Sequence, residues 1–275
     1  EDDVKKETIH VGAGVHLFDQ EIDQVSVDEI IPQPVNARDD VPNTYVENCH
    51  QGVGKSDVIE CFYGDQEDPE YTVALVGGSH SAHWLPALRA IADDNNLLIN
   101  NITKSGCRFT ADEDTVEPDC AQFNENVIDH LKEIKPDLVF LTADIGQTQE
   151  TPQGYLDIWG ELAKENISVF AIRDNGTFDV DPPTCVEENG LNSEECQMSQ
   201  EEFMPQVGAW ESIKNPPRNV TYFDTVDYFC SNGVCDSVIG NVLVYRDDGH
   251  ITATFAETMG PVIEEDLMKA IMKNE

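Results

Sequence analysis

The chain contains two segments whose side chains could together perform acyl chemistry. Asp247 stands three residues before His250, and far upstream an apolar run ends in two glycines followed by Ser79. A serine hydroxyl is a weak nucleophile until a base removes its proton, and histidine does this best when a carboxylate orients its ring and stabilises its charged form. The segments therefore predict a Ser-His-Asp hydrolase or acyltransferase, with Ser79 as nucleophile, His250 as base and Asp247 as the orienting acid.

Other residues compete for the roles of base and acid. Asp248 also precedes His250, but a residue three positions away returns to the same side of a turn more readily than one two positions away. His80 and His83 follow the serine on the next predicted helix, and neither has a carboxylate three residues before it. We therefore favour His250 and Asp247. The alternative interpretation is structural, with the serine as a helix N-cap and the Asp-Asp-Gly segment as an acidic turn.

Backbone amides near the serine could stabilise the negative charge that develops during acyl transfer. The two glycines before Ser79 allow a sharp turn out of a strand, which exposes N–H groups at the start of the following helix. A second loop, 103–107, contains Gly106, whose N–H could face the oxygen of a tetrahedral intermediate. Donors of this kind are worth roughly 3 to 4 kcal/mol each in serine enzymes. The alternative is that this loop is simply a glycine turn.

An α/β fold is predicted to position these residues, because short apolar and β-branched runs alternate with segments of helical spacing. The predicted strands are 71–77, 97–102, 137–142, 167–172 and 220–223, and the predicted helices are 81–92, 123–134, 155–164 and 251–272, the last interrupted near Gly260-Pro261. The alternation implies right-handed βαβ units and a three-layer α/β/α sandwich around a mostly parallel sheet. Ligands bind beyond the carboxyl ends of the strands in such sheets, and Ser79 lies at one of these ends.

The chain divides into an arm and one domain. Residues 1–48 are acidic, contain three prolines and show only short apolar runs, which predicts an extended N-terminal linker arm. The remaining residues, 49–275, contain the predicted sheet and form the domain. Within it, 174–215 has two cysteines, many acids and a proline pair, which predicts an insertion clipped by a disulfide near the site.

Eight cysteines indicate disulfide bonds and an oxidising compartment. Eight cysteines allow about 105 different sets of pairings. Because these cysteines occur as near neighbours in the sequence, our hypothesis is that each pairs with its neighbour. The hypothetical pairs are Cys49–Cys61, Cys107–Cys120, Cys185–Cys196 and Cys230–Cys235. The double C-x-x-C spacing of a zinc site does not occur and the histidines are scattered, so we expect no metal and no other cofactor.

The charge of the chain excludes one class of partner. With 16 lysines and arginines against 54 acids, the formal net charge is −38, which repels phosphate backbones and anionic lipid headgroups. We therefore expect no nucleic acid as a partner. No stretch of the chain approaches the about 20 apolar residues that span a bilayer, so we expect this piece to be soluble.

With these residues in place, the chain resembles the SGNH hydrolase superfamily. It is most similar to the extracytoplasmic SGNH domain fused to acyltransferase-3 membrane proteins, a group that includes the peptidoglycan O-acetyltransferases. The resemblance covers about residues 45–260 and rests on the segments 73–88, 103–109, 230–235 and 245–252. The proline-containing arm before Cys49 is also similar to the linker that leads into such domains from the last membrane helix.

The resemblance implies a flavodoxin-like sandwich and roles for the residues singled out above. It makes Ser79 the nucleophile, His250 the general base and Asp247 its orienting acid. It assigns the oxyanion hole to the backbone N–H groups of Ser79 and Gly106. The sequence departs from the family pattern at Gly78, where an aspartate is usual, and in 142–146, where the usual asparagine is missing. A third oxyanion donor is therefore unassigned.

The resemblance also implies a reaction. An integral membrane acyltransferase-3 domain, fused or associated, would deliver an acyl group, expected to be acetyl, and Ser79 would pass it to a hydroxyl of an envelope glycan or glycolipid. The chain would then lie outside the cytoplasm, at the cell surface or in the periplasm, tethered through an N-terminal membrane domain. Two alternatives stay open: a secreted carbohydrate acetylesterase that uses the same residues, and a non-catalytic SGNH-like glycan-binding module.

Overall fold

The computed structural model describes residues 10–17 and 22–274. The strands are β1 (His50–Gln51), β2 (Cys61–Gly64), β3 (Tyr71–Gly77), β4 (Leu97–Lys104), β5 (Leu138–Thr142), β6 (Ser168–Ile172), β7 (Gln197–Ser199), β8 (Val220–Phe223), β9 (Cys230–Ser231), β10 (Val234–Asp236), β11 (Val238–Ile239) and β12 (Val242–Leu243). The α-helices are α1 (Asn43–Val46), α2 (Ser79–Ala82), α3 (Leu85–Ala92), α4 (Pro118–Ile134), α5 (Gln153–Lys164), α6 (Pro182–Asn189), α7 (Gln200–Phe203), α8 (Val226–Phe229) and α9 (Ala253–Ile271). Short 3₁₀ helices lie at Gly12–His16, Val27–Glu29, Pro34–Asp39, Glu113–Thr115, Glu194–Cys196, Ala209–Ser212 and Met272–Asn274.

Seven strands form the central sheet, in the order β1-β4-β3-β5-β6-β8, with β2 also paired to β4. The β2–β4 pairing is antiparallel and the other pairings in this sheet are parallel. The carboxyl ends of β3, β5 and β6 therefore meet at one edge. This mostly parallel sheet confirms the prediction from the alternation of strands and helices.

Helices cover both faces of the sheet. Val73 and Leu75 pack on one side with the buried residues of α3 and α9, whereas Ala74 and Val76 pack on the other side with those of α4 and α5. Successive side chains of a strand point to opposite faces, so strands buried on both faces are near-continuous apolar runs. The predicted three-layer sandwich is confirmed. In the described part of the chain, none of the helices has the length and apolar character needed to cross a membrane.

The helix predicted over 81–92 is divided in two. The first part, α2, begins already at Ser79 and ends at Ala82, and α3 begins at Leu85. Pro86 has no backbone N–H, so it cannot donate to the carbonyl of Ala82, and a continuous helix is interrupted there. The break places the serine on a separate short helix at the edge of the sheet.

The predicted interruption near Gly260-Pro261 is wrong, because α9 runs unbroken through both residues. Pro261 removes one helical hydrogen bond, but Met259 and Ile263 on either side of it are fully buried. Gly260 lies so close to α3 that a Cβ there would sit 2.7 Å from the carbonyl oxygen of Ala87. Close packing of α9 on α3 thus holds the helix together across the proline.

The four predicted disulfides form, each between near neighbours in the sequence. Cys107–Cys120 joins the loop that contains Gly106 to α4. Cys185–Cys196 joins α6 to the next 3₁₀ helix within the predicted insertion. The described residues contain no free cysteine. Local pairing was therefore the right choice among the possible connectivities.

Several of the described residues before position 49 contact the rest of the chain. Ala13 donates its N–H to Oγ1 of Thr258 at 2.9 Å, and Ile30 is 1% exposed. Farther along, the carbonyl of Asp40 accepts the N–H of the first residue of α9 at 3.0 Å. Residues 1–9 and 18–21 of the predicted arm lie outside the described residues, and the domain boundary at residue 48 stays a prediction.

Candidate active site

The end of β3 and the start of α2 place Ser79. Gly77 has a φ of 124°, a conformation that L side chains rarely adopt, so glycine lets the chain leave the strand this sharply. At Gly78 a Cβ would lie 2.8 Å from the carbonyl oxygen of Cys107. The aspartate that is usual at this position in the SGNH pattern would therefore collide with the loop containing Gly106. The backbone geometry accounts for this departure from the pattern.

His250 joins Ser79 to Asp247 in one hydrogen-bonded chain. Its Nε2 lies 2.8 Å from Oγ of Ser79, and its Nδ1 lies 2.9 Å from Oδ2 of Asp247. Because a carboxylate only accepts hydrogen bonds, Nδ1 carries the proton of the neutral ring and Nε2 can accept the proton of the serine hydroxyl. The structure thus brings the three predicted residues together, although 171 positions separate the serine from the histidine.

Hydrogen bonds between the Asp247 side chain and backbone N–H groups hold the turn that carries the aspartate and the histidine. Oδ1 of Asp247 accepts the N–H of His250 at 2.7 Å and that of Gly249 at 3.0 Å. Burial alone would raise the pKa of Asp247, but its hydrogen bonds with His250 and the charge of that ring hold the pKa well below its ordinary value. Asp247 is therefore ionised at neutral pH. Asp248 has an exposed side chain, so Asp247 is the acid beside the histidine.

The two rival histidines lie beside His250. Nδ1 of His80 is 2.8 Å from Oδ1 of Asp174, and the ring centroids of His80 and His250 are 4.6 Å apart. Burial alone would lower the pKa of His80, but the charge and hydrogen bond of Asp174 outweigh it and raise the pKa. His83 is fully buried, neither of its nitrogens has a hydrogen-bond partner in the described part of the chain, and burial holds its pKa well below the ordinary value. Sequence reasoning missed Asp174, whose one signal is its place just after β6.

The His80–Asp174 pair leads to a prediction about titration. In Asp174→Asn the charge that favours the protonated ring is gone, so the pKa of His80 should fall, as measured by NMR titration of its ring protons. Because the folded-state pKa is raised, the pair stabilises the fold fully below pH about 6.5, the ordinary histidine pKa, and this contribution is lost as pH rises through the folded-state value. The difference in unfolding free energy between wild type and Asp174→Asn should therefore shrink as pH rises. Asp248→Asn is the control, and an unchanged pKa in Asp174→Asn would contradict the pairing.

A pocket of about 500 Å³ opens beside the serine at the carboxyl ends of the strands. Its wall includes Ser79 and Gly106, the two residues whose backbone N–H groups the family resemblance implies for an oxyanion hole. The loop containing Gly106 is held from two sides, because Ser105 donates its N–H to the carbonyl of Gln51 at 2.8 Å and Cys107 is disulfide-bonded. A fixed loop is what a preorganised hydrogen-bond donor requires.

Comparison with known proteins identifies the family of this chain. The model of the "SGNH domain (fused to AT3 domains)", where AT3 stands for acyltransferase-3, matches residues 48–265. The chain belongs to this SGNH family. In fold, this SGNH domain is similar to the periplasmic domain of a lipopolysaccharide acetyltransferase of Salmonella ser. Paratyphi A, with a TM-score of 0.59 and 15% identity over 74% of this chain and 86% of that chain.

Two other solved structures match this SGNH domain only weakly. A ureidoglycine-glyoxylate aminotransferase of Bacillus subtilis matches with a TM-score of 0.26 and 14% identity, over 57% of this chain and 38% of that chain. An aromatic aminotransferase of C. albicans matches with a TM-score of 0.30 and 14% identity, over 91% of this chain and 56% of that chain. Both TM-scores are too low to indicate a shared fold. Comparison with curated proteins gives no match.

The segment after β5, where the family pattern has an asparagine, contributes an aspartate to the SGNH pocket. Asp144 lines the pocket and is 2% exposed, and its Oδ1 accepts the N–H of Asp174 at 2.8 Å. Asn175 does not take the place of the missing asparagine. Its Nδ2 donates to the carbonyls of Gly176 and Gly249 at 2.9 and 2.7 Å, so it supports the turn before His250.

Sequence reasoning also missed two side chains of this SGNH domain that lie near Asp247 and Ser79. The guanidinium of Arg246 lies 5.4 Å from the ring centroid of Tyr45, and its Nη1 lies 3.7 Å from Oδ2 of Asp247. The Tyr45 ring is 4.5 Å from that of His50, and its phenol lies beside Ser79 and Arg246. Arg246 could have been noticed as the neighbour of Asp247 in the sequence. Tyr45 belongs to the predicted arm, and only the fold brings it to the serine.

Three side chains of the SGNH domain lie close enough together to hold a metal ion in principle. The candidate ligand atoms of His80, His83 and Asp174 all lie within 4.8 Å of one another. The sequence predicted no metal because its histidines are scattered along the chain, but His80 and His83 are close neighbours in the sequence and folding brings Asp174 to them. The hydrogen bond between His80 and Asp174 already explains why these two residues are close. We therefore describe these residues as a hydrogen-bonded group and do not assign them as metal ligands.

Proposed function

We propose that this SGNH domain is a serine O-acyltransferase that moves an acyl group through Ser79. The observation that carries the proposal is the hydrogen-bonded chain from Ser79 through His250 to Asp247, at the edge of a pocket that could hold the reacting group. A serine hydroxyl beside an oriented base is the arrangement that acyl transfer requires. Membership of a family of domains fused to AT3 domains supports transfer over simple hydrolysis.

The proposed reaction consists of two acyl transfers that use the same base. In the first, Oγ of Ser79 attacks the donor carbonyl carbon while Nε2 of His250 takes the hydroxyl proton, and the leaving group departs with that proton. In the second, an acceptor hydroxyl gives its proton to His250 and attacks the acyl carbon, and Oγ of Ser79 leaves and takes the proton back. The N–H groups of Ser79 and Gly106 bind the negatively charged oxygen in both steps, and Asp247 stabilises the charged ring.

The donor is proposed to be an integral membrane acyltransferase-3 domain, fused or associated, that delivers an acetyl group. The acceptor is proposed to be a hydroxyl of an envelope glycan, such as peptidoglycan, or of a glycolipid. Fusion to AT3 domains in the family supports this donor, and the name of the Salmonella neighbour, a lipopolysaccharide acetyltransferase periplasmic domain, supports this class of acceptor. Four disulfides suit an oxidising, extracytoplasmic compartment. A membrane domain N-terminal to this chain would tether it there.

A carbohydrate acetylesterase is the second candidate function. The pocket lies directly beside Ser79, so water could reach an acyl-serine in place of a glycan hydroxyl. Both functions use the same triad and differ only in which acceptor reacts. A non-catalytic glycan-binding module is less well supported, because binding alone does not require a serine aligned with a histidine and an aspartate.

A serine-directed phosphonate tests the proposed function. The reagent should modify Ser79, as located by peptide mass spectrometry, and His250→Ala should slow the modification by at least about 10²-fold because the base is lost. His130→Ala is the matched control, since this histidine pairs with Glu60 away from the pocket. An unmodified Ser79 would reject the proposal. Addition of candidate glycans to acetylated enzyme then separates transfer, which gives an acetylated glycan, from hydrolysis, which gives acetate.

A further inference from the structure

His80 and Asp174 form a second histidine–aspartate pair beside the proposed triad. Nδ1 of His80 lies 2.8 Å from Oδ1 of Asp174. Oδ1 also accepts the backbone N–H of Asn175 at 3.0 Å, and Oδ2 accepts that of Gly146 at 3.2 Å. Backbone groups that follow β5 and β6 therefore hold the carboxylate in place, and the carboxylate holds the ring of His80. Neither side chain has a part in the acyl transfer proposed above.

The second nitrogen of the His80 ring is accessible to a ligand. Nδ1 faces Asp174, whereas Nε2 has no hydrogen-bond partner among the described residues and is not one of their buried polar atoms that lack a partner. The side chain of His80 is 28% exposed. Both His80 and Asp174 line the pocket that contains Ser79 and Gly106. A polar group of a ligand in this pocket can therefore bind Nε2.

His80 lies on the side of the site where the alcohol of the reaction must be. In both proposed steps the alcohol oxygen lies next to Nε2 of His250, because that atom exchanges a proton with it. The negatively charged oxygen of the intermediate lies elsewhere, beside the N–H groups of Ser79 and Gly106. The ring centroids of His80 and His250 are 4.6 Å apart. An acceptor that presents a hydroxyl to His250 thus brings its neighbouring atoms within reach of His80.

The charges around His80 suit a hydroxyl group better than an anion. Asp174 carries the opposite charge to the protonated ring, so the pair as a whole is neutral and does not attract a second anion. A hydroxyl can accept a hydrogen bond from Nε2 of the protonated ring and can donate one to Nε2 of the neutral ring. The other described titratable groups that face His80 are Asp247, Arg246 and His250 in the segment before α9, and His83 after α2.

We propose that Nε2 of His80 binds a second hydroxyl of the acceptor, on the carbon next to the hydroxyl that receives the acyl group. Hydroxyls on neighbouring carbons of a sugar ring lie within hydrogen-bonding distance of each other, so one can face His250 while the other faces His80. Asp174 is then a positioning residue that acts through His80. Only hydrogen bonds form at His80, and the proton of the reacting hydroxyl still passes to His250. This inference rests on the proposed acyl transfer through Ser79, and it makes the acceptor a 1,2-diol.

Two small acceptors that differ by one hydroxyl test the proposal. With p-nitrophenyl acetate as acetyl donor, wild type should acetylate cis-cyclohexane-1,2-diol with a kcat/KM about 10- to 10²-fold above that for cyclohexanol, the range that a hydrogen bond to a charged group provides. This preference is well above the statistical advantage of a second hydroxyl. The acetylated products are measured by gas chromatography with mass spectrometry.

Variants of the pair should remove this preference through the KM of the diol. His80→Ala should acetylate the diol and cyclohexanol alike, Asp174→Asn should show a smaller preference than wild type, and His80→Gln, whose amide can replace Nε2, should keep part of it. Phosphonate labelling of Ser79 in His80→Ala should stay within about fivefold of wild type, because nucleophile and base are intact. His130→Ala is the matched control and should keep the full preference for the diol, since His130 pairs with Glu60 away from the pocket.

The outcomes separate this inference from the proposed function. If Ser79 of wild type is labelled but the diol is acetylated no better than cyclohexanol, or not at all, the role of His80 is wrong and the nucleophile stands. This result needs no variant, so it decides the matter even where His80→Ala fails to fold. A preference for the diol that persists in a folded His80→Ala would also overturn the inference. If Ser79 of wild type cannot be labelled, both the proposed function and this inference fall.

Discussion

Ser79→Ala should lower the esterase activity of the isolated domain by on the order of 10⁴-fold or more. In this variant Nε2 of His250 has no hydroxyl to deprotonate, so an acyl-serine cannot form. The backbone donors at Ser79 and Gly106 remain, and they account for a small residual rate over water. The measurement is hydrolysis of p-nitrophenyl acetate, with water as the acceptor because no membrane donor or glycan is present.

A serine outside the pocket provides the control for this result. Ser212 is exposed on a 3₁₀ helix, where its Oγ donates to the carbonyl of Ala209 at 2.7 Å. Ser212→Ala should retain wild-type turnover. If Ser79→Ala also retained it, with circular dichroism showing a native fold in both variants, the hydroxyl at position 79 would not be the nucleophile.

Asp247→Asn has the second largest expected effect, on the order of 10⁴-fold in kcat at neutral pH. The amide removes the charge that stabilises the protonated ring of His250, and its NH₂ group can donate to Nδ1, which leaves the proton on Nε2. The base then cannot accept the proton of the serine hydroxyl. The measurement is kcat for p-nitrophenyl acetate together with the rate of phosphonate labelling, and both should fall.

The chain offers a closely matched control for this variant, because Asp248 is the next residue and its side chain is exposed. Asp248→Asn makes the same change of charge and should retain activity. A larger loss in Asp248→Asn than in Asp247→Asn would show that the wrong acid was assigned.

Asp247 also affects stability, in a direction set by its depressed pKa. A carboxylate with a lowered folded-state pKa stabilises the fold above its unfolded pKa, which is about 3.9, and this contribution is lost as pH falls through the folded-state value. Asp247→Asn should therefore be less stable than wild type at pH 7, with a difference that disappears in strong acid.

The sheet could be predicted from the sequence because its strands are buried on both faces. β3 and β8 occupy the residues predicted for them, whereas β5 and β6 each begin one residue later than predicted. Two of the differences in the helices involve proline. Pro86 divides a segment whose apolar spacing suggested one helix, whereas Pro261 sits inside a continuous one. A proline removes one N–H in both cases, and the surrounding packing decides whether the helix continues.

The sequence by itself determined the chemistry proposed for Ser79, His250 and Asp247. It could do so because each local signal is complete within a few residues: a glycine pair before the serine, and an acid one turn before the histidine. These short-range signals do not depend on where the rest of the chain packs. The sequence likewise indicated the local disulfide pairs, because their partners are close neighbours.

Only the tertiary structure decided what surrounds these residues. His80 and Asp174 are 94 positions apart, and Tyr45 reaches the serine from a segment predicted as an arm. The fold also gives two aspartates different pKa values. Hydrogen bonds to His250 keep Asp247 ionised, whereas burial raises the pKa of Asp144 to about 7. The physical reason is that the charge of a carboxyl group depends on its solvation and on neighbours from distant segments, which local sequence does not specify.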